Sequence, residues 1–161
     1  MTAPIVREAT EADVDAMLDV YESVAAEGRW IGGEIPIDRK RRREGRLALL
    51  KAGENLGLVA EVDNMIVGEL IIEVAHGRGD LGMDILDGLR GQGIGSALLA
   101  RAIEWARATG LAKLSLEVWP HNAPAIALYE KFGFAQEGYH PKQWRRRNGE
   151  SWDTISMGLL L

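Results

Sequence analysis

Six consecutive residues, Arg90-Gly91-Gln92-Gly93-Ile94-Gly95, place a cation and three closely spaced glycines directly ahead of an apolar segment. Glycine has no Cβ and tolerates positive φ, so such a loop can curl until several backbone N–H groups point into one concavity. From Ser96 onward apolar residues recur every three or four positions, which predicts a helix. Because the first turn of a helix carries unpaired N–H groups and the positive end of the dipole, the pattern indicates a site for phosphate or pyrophosphate. The alternative is a tight turn followed by close helix–strand packing.

Two well-known nucleotide motifs do not fit this loop. A dinucleotide-binding G-x-G-x-x-G pattern would need its third glycine at Leu98 if it began at Gly93, and at Ser96 if it began at Gly91. A Walker loop is excluded because no Gly-Lys-Ser/Thr sequence follows. The class of cofactor therefore has to be inferred from other segments of the chain.

Composition limits the classes of function. With 161 residues the chain is predicted to be a single domain, residues 1–161. Its formal charge of −5 argues against nucleic acid or an anionic membrane as a partner. We expect a cytoplasmic protein, since no apolar run could cross a bilayer and the first residues lack a signal-peptide pattern. The absence of cysteine and the scatter of the three histidines, His76, His121 and His140, predict that the protein holds no metal.

Two basic runs and several tryptophans also need an interpretation. The runs cover residues 38–45 and 142–150, and we interpret them as a solvated helix face and a charged hairpin around Asn148-Gly149. Nucleic-acid binding is the less favoured interpretation of both runs. Four tryptophans are candidates for the walls of a pocket: Trp30, Trp119, Trp144 and Trp152.

The elements that must position these residues follow from hydrophobic periodicity. A short strand at Ile5–Arg7 precedes a helix that begins near Thr10 and Asp13, and a second helix ends near Leu50. Residues 56–75 read as two strands joined at Asp63-Asn64, a hairpin signal. Strands on both sides of the helix after the glycine loop make a βαβ unit. The expected class is therefore mixed α/β.

A second informative segment, NAPAIALYEKFGF, spans Asn122–Phe134. Asn122 can cap a short helix, and Gly133 can end it. Together with the glycine loop, this segment resembles the GNAT superfamily of N-acetyltransferases over almost the whole chain. The family's pyrophosphate motif, Gln/Arg-x-x-Gly-x-Gly/Ala, is matched by Arg90 to Gly95, and its asparagine and late tyrosine are matched by Asn122 and Tyr129.

The resemblance implies a fold and a cosubstrate. The implied fold is a mixed, mainly antiparallel central sheet flanked by helices and splayed between the fourth and fifth strands. The implied cosubstrate is acetyl-CoA, with its pantetheine arm on the backbone of residues 85–87 and its pyrophosphate on N–H groups of residues 92–96. The family often carries a proline where Asp87 stands in this chain. The expected cofactor-binding residues are Ile85, Leu86, Asp87, Arg90, Gly91, Gln92, Gly93, Ile94, Gly95, Ser96, Asn122 and Tyr129.

The implied reaction is acetyl transfer to a primary amine. Without a cysteine, direct attack in a ternary complex is the available route, with Tyr129 as general acid at the leaving sulfur. The candidates for the base are Asp84, Glu69 and Glu117, on strands expected to line the acceptor cleft together with Glu73; a water relay without a dedicated base stays open. The alternation in residues 81–86 leaves Asp84 either in the cleft or at a sheet edge.

The acceptor is expected to be a small molecule such as a metabolite, an amino acid or an antibiotic-like amine. Two alternatives are a protein N-terminal or lysine acetyltransferase and a non-catalytic sensor that binds acyl-CoA. The apolar C-terminal strand suggests a homodimer.

Overall fold

The computed structural model describes residues 2–161, and seven strands and four α-helices account for most of them. The strands are β1 (Ile5–Glu8), β2 (Leu56–Val62), β3 (Met65–Ala75), β4 (Arg78–Ile85), β5 (Lys113–Val118), β6 (Ala135–Arg145) and β7 (Ser151–Leu160). The helices are α1 (Val14–Ala26), α2 (Arg39–Lys51), α3 (Ile94–Ala108) and α4 (Ala123–Lys131). No helix within residues 2–161 combines the length and apolar character needed to span a membrane.

The strands form one sheet in the order β1-β2-β3-β4-β5-β7-β6. All neighbouring pairs are antiparallel except β4 and β5, which run parallel. The β4–β5 pairing joins only Arg78–Asp80 to Lys113–Ser115, after which the two strands separate. The predicted mixed, mainly antiparallel sheet that splays between its fourth and fifth strands is confirmed.

Two tight turns fix the register of β2, β3 and β4. The predicted hairpin at Asp63-Asn64 is present, and both residues have positive φ, 51° and 64°, as a primed two-residue turn requires. A second turn at His76-Gly77 leads from β3 into β4. In the resulting register Glu69 lies directly opposite Asp84.

Helices cover both faces of the sheet, and alternation along β3 decides which side chains each helix meets. Leu70 and Ile72 are fully buried in the main core with Leu98 and Leu99 of α3. Glu69 points to the opposite face, where it contacts Arg46 of α2. Each large apolar side chain buried in this way stabilises the fold by about 1.5–3 kcal/mol.

The two basic runs form the helix face and the hairpin that the sequence predicted, and one residue, Arg146, departs from that interpretation. The first run does form helix, since it opens α2, and Arg43 makes an ion pair with Asp15 at 3.1 Å. Residues 40–45 are exposed, which confirms the solvated face, whereas Arg46, just beyond the run, lies against Glu69 with its side chain 10% exposed. The second run does turn at Asn148-Gly149, but Arg146 is only 5% exposed. The Arg146 guanidinium is buried, with two backbone carbonyls and an aromatic ring around it.

Candidate active site

A cavity of about 630 Å³ opens where β4 and β5 separate. Its walls come from the two strands, the glycine loop, α4 and the loop between α1 and α2. Eleven of the residues predicted for the site line it: Glu69, Asp84, Ile85, Arg90, Gly91, Gly93, Gly95, Ser96, Glu117, Asn122 and Tyr129. Four do not: Leu86, Asp87, Gln92 and Ile94. The structure thus brings together residues from five separate segments of the chain.

The glycine loop leads straight into the N-terminus of α3. Gly91 and Gly93 have φ values of 73° and 88°, which other residues rarely adopt. Gly93 is the N-cap residue, and no side chain caps the helix there. The first-turn N–H groups therefore have no intrahelical acceptor and face the cavity side of the loop, a setting that favours an anion.

Gly95 has a different role from the two glycines before it. A Cβ at this position would lie 2.9 Å from Cδ2 of Leu128 and 3.3 Å from Cδ1 of Ile85. The missing side chain lets α3 approach α4 and β4 closely. The close packing expected under the second interpretation is therefore present at Gly95, and the backbone curls at Gly91 and Gly93.

Arg90 is engaged by protein groups. Its Nη1 and Nη2 atoms donate to the two carboxylate oxygens of Glu27 at 2.8 and 2.6 Å, and its Nε atom donates to the carbonyl of Ile85 at 2.9 Å. The guanidinium also lies 6.0 Å from the ring centroid of Trp30. Arg90 thus ties the glycine loop to the end of α1 and to β4.

Residues 85–87 are the backbone positions expected to bind the pantetheine arm, and one of the three, Ile85, lies at the free edge of β4. The Leu86 N–H donates to the Val67 carbonyl at 3.0 Å, so it faces β3. Consecutive residues of a strand point their N–H groups to opposite edges, and Ile85 therefore faces the gap toward β5. Asp87 accepts a hydrogen bond from the Gly88 N–H at 2.9 Å and so shapes the turn in which the family often has a proline.

Asn122 and Tyr129 both belong to α4 and its cap. The Asn122 side chain accepts from the Ala125 N–H at 3.3 Å, as the sequence predicted for an N-cap. Tyr129 is buried, with its ring centroid 5.7 Å from that of Phe134. Burial, and the nearby charge of Asp84, raise the pKa of the Tyr129 hydroxyl. This hydroxyl therefore stays protonated over the physiological pH range.

Two carboxylates, the buried Glu69 and the half-buried Asp84, face each other at the β3–β4 side of the cavity. Glu69 is 1% exposed, and its Oε1 atom accepts from Nη2 of Arg46 at 3.0 Å. Its Oε2 atom is buried and has no hydrogen-bond partner among the described residues. Burial and the charge of Asp84 together raise the pKa of Glu69 to about 8, against the opposing effect of Arg46. Burial also raises the pKa of Asp84. Since two adjacent carboxylates, one of them buried, resist ionising together, the pair retains a proton near neutral pH.

The other two predicted carboxylates occupy different environments. Glu117 lines the cavity from β5 but is exposed to solvent. Glu73 lies opposite Asp80, outside the cavity, so its expected place in the cleft is wrong. Within residues 2–161, no three acidic, histidine or cysteine side chains are grouped as metal ligands would be.

Two residues that sequence reasoning missed also line the cavity near Glu69. Tyr21 and Arg46 line the cavity, and neither was predicted there. Arg46 follows the first basic run directly, and its helical spacing of four from Arg42 puts both on one face of α2. Of the four tryptophans, Trp30 and Trp119 line the cavity, whereas Trp144 and Trp152 pack against Trp119 at 5.7 and 5.0 Å between centroids.

Comparison with known proteins identifies the family of this chain. The family model described as "Acetyltransferase (GNAT) family" matches residues 17–134. The L-amino acid N-acetyltransferase AaaT of Escherichia coli is 36% identical over 109 residues, which cover 62% of this chain and 65% of that protein. The L-methionine sulfoximine/L-methionine sulfone acetyltransferase of Pseudomonas aeruginosa is 30% identical over 148 residues, covering 85% of this chain and 83% of that protein.

A solved structure supports the fold over the whole chain. The yncA acetyltransferase structure from Salmonella typhimurium, described with its cofactor acetyl-CoA, superimposes with a TM-score of 0.86 at 23% identity, covering 99% of this chain and 95% of that one. The family match includes the glycine loop, Asn122 and Tyr129. The chain belongs to the acetyltransferase (GNAT) family and is an N-acetyltransferase.

Proposed function

We propose that the protein transfers an acetyl group from acetyl-CoA to the primary amine of a small molecule, and that an amino acid or a close analogue is the acceptor. The observation that carries the proposal is that Glu69 and Tyr129 line the same cavity as the uncapped N-terminus of α3. The names of the E. coli and P. aeruginosa relatives, both acetyltransferases of amino acids or their analogues, support this acceptor class.

The residues present fit acetyl-CoA. The uncapped N–H groups at Gly93 to Ser96 suit the pyrophosphate, and the open edge of β4 at Ile85 suits an amide-bearing arm that pairs as an added strand would. Asn122 lines the far side of the same channel. The ion pair of Arg90 with Glu27 holds the glycine loop in this shape, and the positive charge of Arg90 lies beside the site for the pyrophosphate. Acetyl-CoA supplies the activated acetyl thioester.

On the acceptor side, the chain must provide a neutral amine. A primary amine with a pKa near ~10.4 is neutral in only about one molecule in a few thousand at pH 7. We propose Glu69 as the base: its free Oε2 atom is buried on the cavity wall, and its raised pKa matches the task of accepting a proton near neutral pH. Asp84 shares the proton, while Arg46 holds the other oxygen of Glu69 in place.

On the donor side, the departing sulfur needs a proton. Tyr129 is proposed to donate it, because its hydroxyl lies at the cavity wall and its raised pKa keeps it protonated until the reaction. The Ile85 N–H, at the free edge of β4, is in place to stabilise negative charge on the reacting carbonyl oxygen.

A panel of amines incubated with acetyl-CoA tests the proposal by release of free thiol and by mass spectrometry of the product. The panel contains amino acids, amino-acid sulfones and a peptide that begins with alanine, and N-blocked amino acids serve as controls. We expect release with free amino acids or their analogues and none with the blocked forms. Release with the peptide alone would instead support a protein acetyltransferase. CoA binding without release for any amine would identify a sensor.

A further inference from the structure

The loop between α1 and α2 is held by side chains that are distant in the sequence. We call residues 29–36 the acceptor loop, because Trp30, Ile31 and Gly32 line the cavity on its acceptor side. The Trp119 indole N–H donates to the Trp30 carbonyl at 2.9 Å, and Nε2 of His121 lies 2.7 Å from the Arg29 carbonyl. The loop has no helix or strand of its own, so such contacts satisfy its backbone.

Arg146, in the turn between β6 and β7, is the central anchor of this loop. Its Nη1 atom donates to the carbonyls of Ile31 and Gly32 at 3.2 and 2.9 Å. Its guanidinium stacks on Trp152, with Cζ 3.9 Å from the ring centroid, and Nε lies 3.7 Å from a carboxylate oxygen of Glu34. A cation enclosed by two carbonyls, a carboxylate and an aromatic face fixes the loop at a defined distance from the sheet.

The neighbouring contacts reinforce the same attachment. The Arg147 backbone N–H donates to both oxygens of Glu34, and its guanidinium donates to the Ile35 carbonyl at 3.1 Å. A Cβ on Gly32 would lie 2.6 Å from Cζ2 of Trp144, so the loop backbone rests directly on that indole. The β6–β7 turn and the acceptor loop are therefore joined by several contacts.

We propose that Arg146 is a positioning residue that determines which acceptors the enzyme takes. It binds the outer side of the same two residues, Ile31 and Gly32, whose inner side forms the cavity wall. Releasing their carbonyls lets this wall shift relative to Glu69, while the glycine loop on the donor side keeps its own contacts. This inference rests on the proposed acetyl transfer to small amines.

The test compares Arg146→Met and Arg146→Lys with Arg145→Met, a matched control at the preceding, exposed position. In Arg146→Met we expect the KM for the acceptor to rise about tenfold or more, because hydrogen bonds to a charged group are lost. The rank order of the amine panel should change, and the KM for acetyl-CoA should stay within about twofold. Lysine cannot reproduce the planar fork and should restore only part of the effect. Arg145→Met should match the wild type.

Amide hydrogen exchange at residues 29–36 provides a readout that needs no substrate. Exchange should accelerate in Arg146→Met and not in Arg145→Met. If Arg146→Met lowers the melting temperature while acceptor KM and rank order stay at wild-type values, the residue is merely structural and the proposal is wrong. If that variant does not fold, Arg146→Lys decides by the same criteria. A wild-type protein that acetylates no amine would refute the proposed function, and the role of Arg146 in selectivity with it. If the wild type is active but Arg146→Met, or Arg146→Lys where that variant decides, keeps the wild-type acceptor KM and rank order, only the role of Arg146 is refuted.

Discussion

Glu69 on β3 and Asp84 on β4 lie directly opposite each other, and the guanidinium of Arg46 contacts only one oxygen of the Glu69 carboxylate. The other oxygen is buried without a partner among residues 2–161. An unpaired buried acceptor is costly unless something binds it. A substrate amine would satisfy it, and this relationship underlies the first two predictions.

Replacing Glu69 with Gln should reduce kcat/KM by about 10²–10⁴-fold, because the amide cannot accept the acceptor's proton. In the wild type, kcat/KM should rise with pH toward a plateau above about pH 8, since the pKa of Glu69 is raised to about 8. This titration belongs to the Glu69–Asp84 pair as a unit. A pH–rate series for both proteins, measured with two amines of different pKa, is the test.

The matched control is Glu73→Gln, an exposed carboxylate on the same strand outside the cavity. It should leave kcat/KM within about twofold of wild type. If the rise of kcat/KM with pH follows the pKa of the amine, or persists in Glu69→Gln, Glu69 is not the base and a water relay takes its place.

Glu69→Gln should also change how the free energy of unfolding depends on pH. The folded-state pKa of Glu69 is raised above its usual 4.5, so the folded protein holds a proton that the unfolded chain releases. The wild type therefore loses stability as pH rises from about 4.5 to about 8, whereas glutamine does not titrate. In urea unfolding, the free energy of unfolding of Glu69→Gln relative to wild type should increase across this window and then level off. A constant difference would show that Glu69 is ionised at a normal pKa.

Tyr129→Phe should lower kcat by about 10²-fold while the affinity for acetyl-CoA changes little, because the ring that packs on Phe134 is kept and only the hydroxyl is lost. Initial rates of thiol release and calorimetric CoA binding measure the two quantities. Tyr139→Phe is the control, since its exposed hydroxyl bonds to Asp153 on β7. Unchanged release from Tyr129→Phe would rule out its role as the acid.

Gly93→Glu should weaken CoA binding by about tenfold or more, because it brings a carboxylate to the anion site at the start of α3. Gly77→Glu is its control: both glycines have positive φ, 88° and 72°, and open space beyond the Cβ position. The two variants should lose similar stability from backbone strain, about 1–2 kcal/mol. Equal CoA affinity in both would mean that the loop does not hold the pyrophosphate.

The sequence by itself identified the part of the cavity that the glycine loop and α4 form. The glycine loop, the N-cap Asn122 and Tyr129 were found because their signals are local: spacing within one turn and the helix after it decides how those residues are arranged. The hairpin at Asp63-Asn64 and the helix and strand pattern were predictable for the same reason.

Only the tertiary structure decided the arrangement of charged residues around Glu69 and in the loop between α1 and α2. The Glu69–Asp84 pair exists because two turns set the strand register, and a slip of one residue would send either carboxylate to the other face. Arg46 reaches Glu69 across 23 residues, and Arg146 reaches Gly32 across 114. The sequence showed Arg146 inside one basic run and Arg46 directly after the other, with nothing local to indicate that the fold encloses their side chains. Their burial depends on which carboxylate or carbonyl the fold places within hydrogen-bond distance, and that is a property of the packed chain.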